Sequence, residues 1–252
     1  MSATLLIMAK APVPGRVKTR LCPPCTPAGA ATLARAALED TLANALATPG
    51  VSRVLLALEG EVGRWCPPGV EVVHQAGAGL ADRLAHAWQQ VEGPGIQIGM
   101  DTPQAGPALL RRALDALVQR GTRAVLGLAA DGGWWAIGFR RVPPSAFTGI
   151  PMSTPWTGAA QLDRLQRLRL RVQLLPPLVD ADRIEDARLV AAQAPRSRFA
   201  AALSALSLPP LYPVGTAGTL ANGMIRGQAA SARAAGAVSA RLAAAGLGAP
   251  NQ

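Results

Sequence analysis

Thr4-Leu5-Leu6-Ile7-Met8-Ala9-Lys10-Ala11-Pro12-Val13-Pro14-Gly15-Arg16-Val17-Lys18-Thr19-Arg20-Leu21 is the stretch on which the fold turns. The apolar run Leu5–Met8 reads as a buried strand. Pro12, Pro14 and Gly15 then force a turn that neither strand nor helix could continue. Lys10, Arg16, Lys18 and Arg20 put four cations on the loop that leaves the strand. Arg16, Lys18 and Arg20 alternate, so an extended backbone would point them to one side. Backbone N–H groups and such side chains can together neutralise a di- or triphosphate. A solvated basic surface loop is the plainer alternative. The Walker A spacing is absent, although Lys18-Thr19 mimics its end.

Strand-like and helix-like segments alternate outward from this stretch. Pro27–Ala47 carries apolar residues at helical spacing, with Thr26 placed as its N-cap. Val51–Leu58, Val70–His74, Gly95–Gly99, Ala124–Leu128, Trp134–Phe139 and Val172–Leu175 read as further strands, with Trp134–Phe139 a candidate for antiparallel pairing. Helices are expected over Leu80–Val91, Pro107–Arg120, Thr157–Leu168 and Ile184–Ala194. The order predicts a largely parallel sheet covered by helices on both faces. Such sheets bind ligands at the carboxyl ends of their strands. The basic loop, Asp101 and Asp131 each follow an apolar strand, so they are expected to meet on one rim.

Bulk properties narrow the function class. A chain of 252 residues can bury the core of one α/β domain. No apolar run reaches the roughly 20 residues that a bilayer requires. The N-terminal apolar run is short and passes at once into a basic loop, unlike a signal peptide. The expectation is a cytoplasmic enzyme without a membrane partner. A formal charge of +10 raises nucleic-acid binding. Aromatic residues are only 4%, too few for a stacking platform, and no nucleic-acid-binding motif is visible. No nucleic-acid partner is therefore expected. Cys22-Pro23-Pro24-Cys25 has CxxC spacing but no second pair, so ordinary reduced cysteines are the expectation. Residues 1–208 are read as the domain. Residues 209–252, rich in Ala and Gly without an acidic side chain, are read as a flexible tail.

Two carboxylates stand out. Asp101, in Ile98-Gly99-Met100-Asp101-Thr102-Pro103, ends a strand between Gly and Pro, where it could ligate Mg²⁺ or Mn²⁺ or cap the next helix. Asp131, in Asp131-Gly132-Gly133-Trp134-Trp135, sits where backbone can approach a ligand closely, although Asp-Gly is also a common hairpin turn. Trp134 and Trp135 could stack on a base or sugar on the acceptor side, or belong to the core. Gly79 opens a helix in Gly77-Ala78-Gly79-Leu80-Ala81-Asp82-Arg83-Leu84, where Arg83 could reach a phosphate.

These segments, with Gly149-Ile150-Pro151-Met152-Ser153-Thr154 and the acidic stretch Leu178-Val179-Asp180-Ala181-Asp182-Arg183-Ile184-Glu185-Asp186, resemble the DUF2064 family. These are bacterial GT-A-like proteins of the nucleotide-diphospho-sugar transferase superfamily, similar to phospholactate guanylyltransferases and, more distantly, to molybdenum-cofactor nucleotidyltransferases. The resemblance spans roughly residues 3–195. It implies a three-layer Rossmann-like GT-A fold with a mostly parallel mixed sheet, and a nucleotide held by the N-terminal half. By similarity Lys10, Pro14, Gly15, Arg16, Lys18 and Arg20 match the phosphate-binding loop, and Asp101 the metal-binding aspartate. Asp131 matches an aspartate near the metal or acceptor. Met100 stands where the family more often has Ser, and Trp134 and Trp135 where it has Tyr. The Asp-x-Asp of GT-A enzymes is reduced to Asp101-Thr102-Pro103, so a second ligand is expected from Asp131, Asp180 or Asp182.

The implied activity is metal-dependent glycosyl transfer from a nucleotide sugar to a small acceptor, with Asp131 or Asp180 as base. The alternatives are nucleotidyl transfer from a nucleoside triphosphate with loss of pyrophosphate, and nucleotide binding without turnover. A homodimer is left open.

Overall fold

The computed structural model describes residues 2–206 and Leu208. Seven strands alternate with helices in the expected order: β1 (Ala3–Lys10), α1 (Pro27–Leu46), β2 (Val51–Glu59), β3 (Val70–His74), α2 (Leu80–Trp88), β4 (Gly95–Gly99), α3 (Pro107–Val118), β5 (Ala124–Ala129), β6 (Trp134–Phe139), α4 (Thr157–Arg167), β7 (Val172–Leu178), α5 (Ile184–Gln193) and α6 (Arg198–Ala205). They form one sheet of order β3-β2-β1-β4-β6-β5-β7. β1 pairs parallel with β2 and β4, β2 with β3, and β5 with β7. Only β6, antiparallel to β4 and β5, runs the other way among the described strands. This is a three-layer, Rossmann-like GT-A fold.

The strands are legible in the sequence because central strands covered on both faces need near-continuous apolar runs. β5 is buried at all six positions. Alternate residues then face opposite layers. Leu5, Ile7 and Ala9 of β1 pack with Ala34 and Leu38 of α1 and Leu110 of α3. On the other face Trp88 of α2 meets Phe139 edge-on at 5.0 Å, and its indole N–H donates to the buried Gln97 side chain at 2.8 Å. Thr26 caps α1, its hydroxyl accepting from the Gly29 N–H at 3.1 Å.

α6 is not foreshadowed by the sequence, because eight Ala-rich residues carry little periodic signal. It docks through Asp40 of α1, a buried carboxylate that accepts from the Arg198 and Phe199 backbone N–H groups at 3.1 and 2.8 Å. One compact unit runs through Leu206. The stretch read as a tail, 209–252, lies outside the described residues. No helix among the described residues is long and apolar enough to cross a membrane.

Candidate functional site

The parallel strands all end on one rim, which gathers residues far apart in sequence. Lys10 closes β1, Asp101 follows β4, Asp131 follows β5, and Asp180 and Asp182 follow β7. A cleft of about 320 Å³ opens there, walled by Lys10, Arg16, Lys18, Arg20, Gln75 and Asp101, among others.

The basic loop is not extended. Gly15 takes φ +75° and Lys18 φ +50°, and Thr19–Leu21 form a single 3₁₀ turn. Arg16, Lys18 and Arg20 share one cleft through a tight turn rather than as the extended row expected. Buried Val17 and Leu21 pull the loop onto the core, and burying both needs a tight turn. Lys18 is thrown inward instead, its side chain 6% exposed. Its ammonium lies 2.8 Å from Asp101 Oδ1 and 3.0 Å from Asp182 Oδ1. Arg20 reaches Asp182 Oδ2 at 2.9 Å. Burial alone would lower the Lys18 pKa, but Asp101 and Asp182 outweigh it and hold it above its ordinary value. Burial would likewise raise Asp182, but Lys18 and then Arg20 hold it below the usual carboxylate range. Two cations thus tie the loop to the ends of β4 and β7.

Asp131, Asp180 and Asp182 form a second cluster. Each offers a carboxylate oxygen within 4.8 Å of the others. Burial, and then the charges of Asp131, Asp182 and Asp101, push Asp180 up to about 7 against a smaller opposing effect of Lys18. Three oxygen donors with too little positive charge nearby suit a hard divalent cation such as Mg²⁺ or Mn²⁺. This trio includes Asp131 of the expected Asp101 and Asp131 pair; Asp101 lies outside it and pairs with Lys18, which also pairs with Asp182 of the trio.

Asp131 is also the hairpin residue that its Asp-Gly spacing suggested. It joins β5 to antiparallel β6, and its Oδ1 accepts from the Gly133 N–H at 2.8 Å. Gly132 has φ +92°, and a Cβ there would overlap the Pro155 carbonyl oxygen. Only glycine lets the loop before α4 press onto this turn.

The paired tryptophans part company. Trp134 is half-buried, its Nε1 enclosed and without a hydrogen-bond partner among the described residues. Trp135 is 2% exposed and donates from Nε1 to the Pro176 carbonyl at 3.0 Å. An acceptor-side role for Trp135 is therefore corrected: strand alternation turns it into the core, where Gly127 leaves room for the indole. Arg83 pairs with Glu59, which Lys10 also approaches at 3.4 Å. Gly79 starts α2, its N–H donating to Asp82 Oδ2 at 3.2 Å. The structure gives Gly79 and Arg83 these local tasks, and neither lines the cleft. Pro14 and Gly15 shape the loop without forming the cleft wall. Sequence reasoning passed over Gln75. Its position, one residue beyond β3, was the available signal, since the rim is made of strand ends.

Residues 32–154 match a family described as an uncharacterized protein conserved in bacteria, DUF2064. This segment is DUF2064. The matched DUF2064 residues carry Asp101 and Asp131 but stop short of the basic loop and of Asp180 and Asp182. Among solved structures, the chain resembles a protein of Desulfovibrio desulfuricans G20 provisionally classed as a nucleotide-diphospho-sugar transferase. The two share 27% identity and a TM-score of 0.73 over 81% of this chain and 95% of that one. It also resembles the 2-C-methyl-D-erythritol 4-phosphate cytidylyltransferase of Thermus thermophilus, at 18% identity and TM-score 0.50 over 77% of this chain and 100% of that one. A third is the 4-diphosphocytidyl-2C-methyl-D-erythritol synthase of Anaerococcus prevotii, at 10% identity and TM-score 0.51 over 77% and 98%. The last two likenesses are of fold. No curated protein matches the chain.

Proposed function

We propose that this protein is a metal-dependent glycosyltransferase that takes a nucleotide sugar as donor and a small molecule as acceptor. One observation carries the reading: a cleft with exposed cations on one wall runs beside a cluster of three carboxylates on the same rim. The likeness to the Desulfovibrio protein supports it. Lys10, Arg16 and Arg20 face the donor diphosphate. Lys18 reaches it by exchanging its carboxylate partners for phosphate oxygens, or remains the strut that positions Arg16 and Arg20.

Asp131, Asp180 and Asp182 would hold Mg²⁺ or Mn²⁺, which when bound supplies charge stabilisation to the leaving diphosphate. Charge grows on that group only as the sugar–oxygen bond breaks, so cations already aimed at it favour the transition state over the bound donor. Asp131, the exposed member of the trio, would serve as base toward the acceptor's hydroxyl.

Nucleotidyl transfer is the second reading. It is favoured by the number of cations on the cleft wall, enough to meet a triphosphate. Two assays separate the readings. Slow hydrolysis of a nucleotide sugar without pyrophosphate exchange supports glycosyl transfer. Exchange of labelled pyrophosphate into a nucleoside triphosphate supports the rival. A thermal-shift series of nucleotides and nucleotide sugars, with Mn²⁺ or with chelator, tests both. No shift with any of them would sink the nucleotide reading, and full affinity and turnover in excess chelator would sink the metal.

A further inference from the structure

We propose that the rim opposite the cleft is a docking surface for an anionic phospholipid bilayer, held by Arg120, Arg123, Arg141, Arg169 and Arg171. The proposal does not depend on what the cleft binds.

Strand order assembles this rim from three separate segments. Arg123 precedes β5, Arg171 precedes β7, and Arg141 follows antiparallel β6, so all three mark the same end of the sheet. The Arg123 N–H donates to the Arg171 carbonyl at 2.9 Å, and the Arg140 N–H to the Arg123 carbonyl at 3.2 Å. These bonds hold the segments side by side. Arg120 leaves the end of α3, and Arg169 turns at φ +54° after α4. All five arginines are exposed. None has a carboxylate partner among the described residues, whereas exposed Arg20, Arg35, Arg111 and Arg167 are each paired. Residues 119–123, 140–145 and 167–172 contain no acidic side chain. Fixed beside one another, these cations repel, a cost that an anionic partner removes.

The chemistry of the rim selects a lipid surface. Guanidinium groups grip phosphate bidentately. Leu168 and Leu170 alternate with Arg167, Arg169 and Arg171, and Val142 and Pro143 follow Arg141; all four apolar residues are half-buried. Aliphatic surface among cations suits the headgroup region, where charge and hydrocarbon are both met. The three segments hold no aromatic ring on which a base could stack. Such contact needs no spanning segment. It turns the cleft, one strand length or about 20 Å away, toward the aqueous side, where a soluble donor and acceptor can reach it.

The test is co-sedimentation of the full chain with vesicles of phosphatidylcholine, alone or with about one-third phosphatidylglycerol. Binding is expected only to the anionic vesicles and should be lost between about 0.05 and about 0.5 M salt. Each arginine near such a surface is worth about fivefold, so Arg123→Gln, Arg141→Gln and Arg171→Gln together should weaken binding about a hundredfold. Exposed Arg64, Arg112 and Arg196 lie on other segments. Changing these to Gln removes the same charge and should weaken binding no more than about threefold, because salt screens distant charges. Equal losses from the two triple variants, or equal binding to neutral vesicles, overturn the proposal. Duplex DNA that displaces the protein from anionic vesicles at equal phosphate concentration overturns it too. Hydrogen exchange gives a readout free of substitution. Anionic vesicles should slow exchange at residues 119–123, 140–145 and 167–172 and leave the basic loop at 10–21 unchanged; protection of that loop instead would refute the docking face.

Discussion

Replacing Asp180 with Asn should make the metal-free protein more stable above neutral pH, although it alters a residue of the site. Asp180 has an ordinary pKa of 3.8, and burial with three neighbouring carboxylates pushes it up to about 7 in the folded state. Between these values the native state keeps a proton that the unfolded chain has lost. Stability linked to this group is therefore complete below pH about 4, falls as pH rises, and is flat above about 7. The shift is worth about 4 kcal/mol at most, at 1.36 kcal/mol for each pH unit. Part of that penalty is shared with Asp131 and Asp182, so roughly 2–4 kcal/mol is the expected advantage of Asp180→Asn at pH 8. Urea unfolding at pH 4, 6 and 8 in chelator measures it. The two proteins should unfold alike at pH 4 and diverge on the alkaline side. Adding Mn²⁺ at pH 8 should reverse the order, because only the wild type keeps all three carboxylates. An advantage that does not vary with pH, or a less stable variant at pH 8, would refute the electrostatic account of the trio.

Lys18→Met removes a buried cation from between Asp101 and Asp182 and should cost about 3–5 kcal/mol of stability by urea midpoint. Asp182 would then keep only Arg20 against its burial, so its pKa should rise, and the stability that Asp182 lends above its ordinary pKa, and loses in acid, should shrink in a pH series. Gly132→Ala forces a Cβ against the Pro155 carbonyl at positive φ and should destabilise by roughly 1–3 kcal/mol or more in thermal unfolding. An unchanged midpoint would mean that the turn and the loop before α4 separate easily. Trp135→Phe should cost about 1 kcal/mol through the lost bond to Pro176 and leave nucleotide-sugar affinity unchanged by calorimetry. A selective loss of affinity would return Trp135 to the site.

What the chain determined by itself is local. Leu5–Met8, Leu126 in Ala124–Leu128 and Ile96 in Gly95–Gly99 are apolar beyond what a solvated strand tolerates, and the intervening segments repeat at helical spacing. From that came the alternating order, the strand ends, and the common rim with Lys10, Asp101 and Asp131. Tertiary structure decided everything that depends on which strand lies beside which. Insertion of antiparallel β6 between β4 and β5 turns Trp135 inward and leaves Trp134 partly outside, a choice invisible in two identical letters. The buried Lys18 ammonium finds Asp182 across 164 positions, and Gln75 finds Ala9 across 66. Such partners are set by strand order and loop closure, whereas propensity and periodicity act over only a few residues of chain.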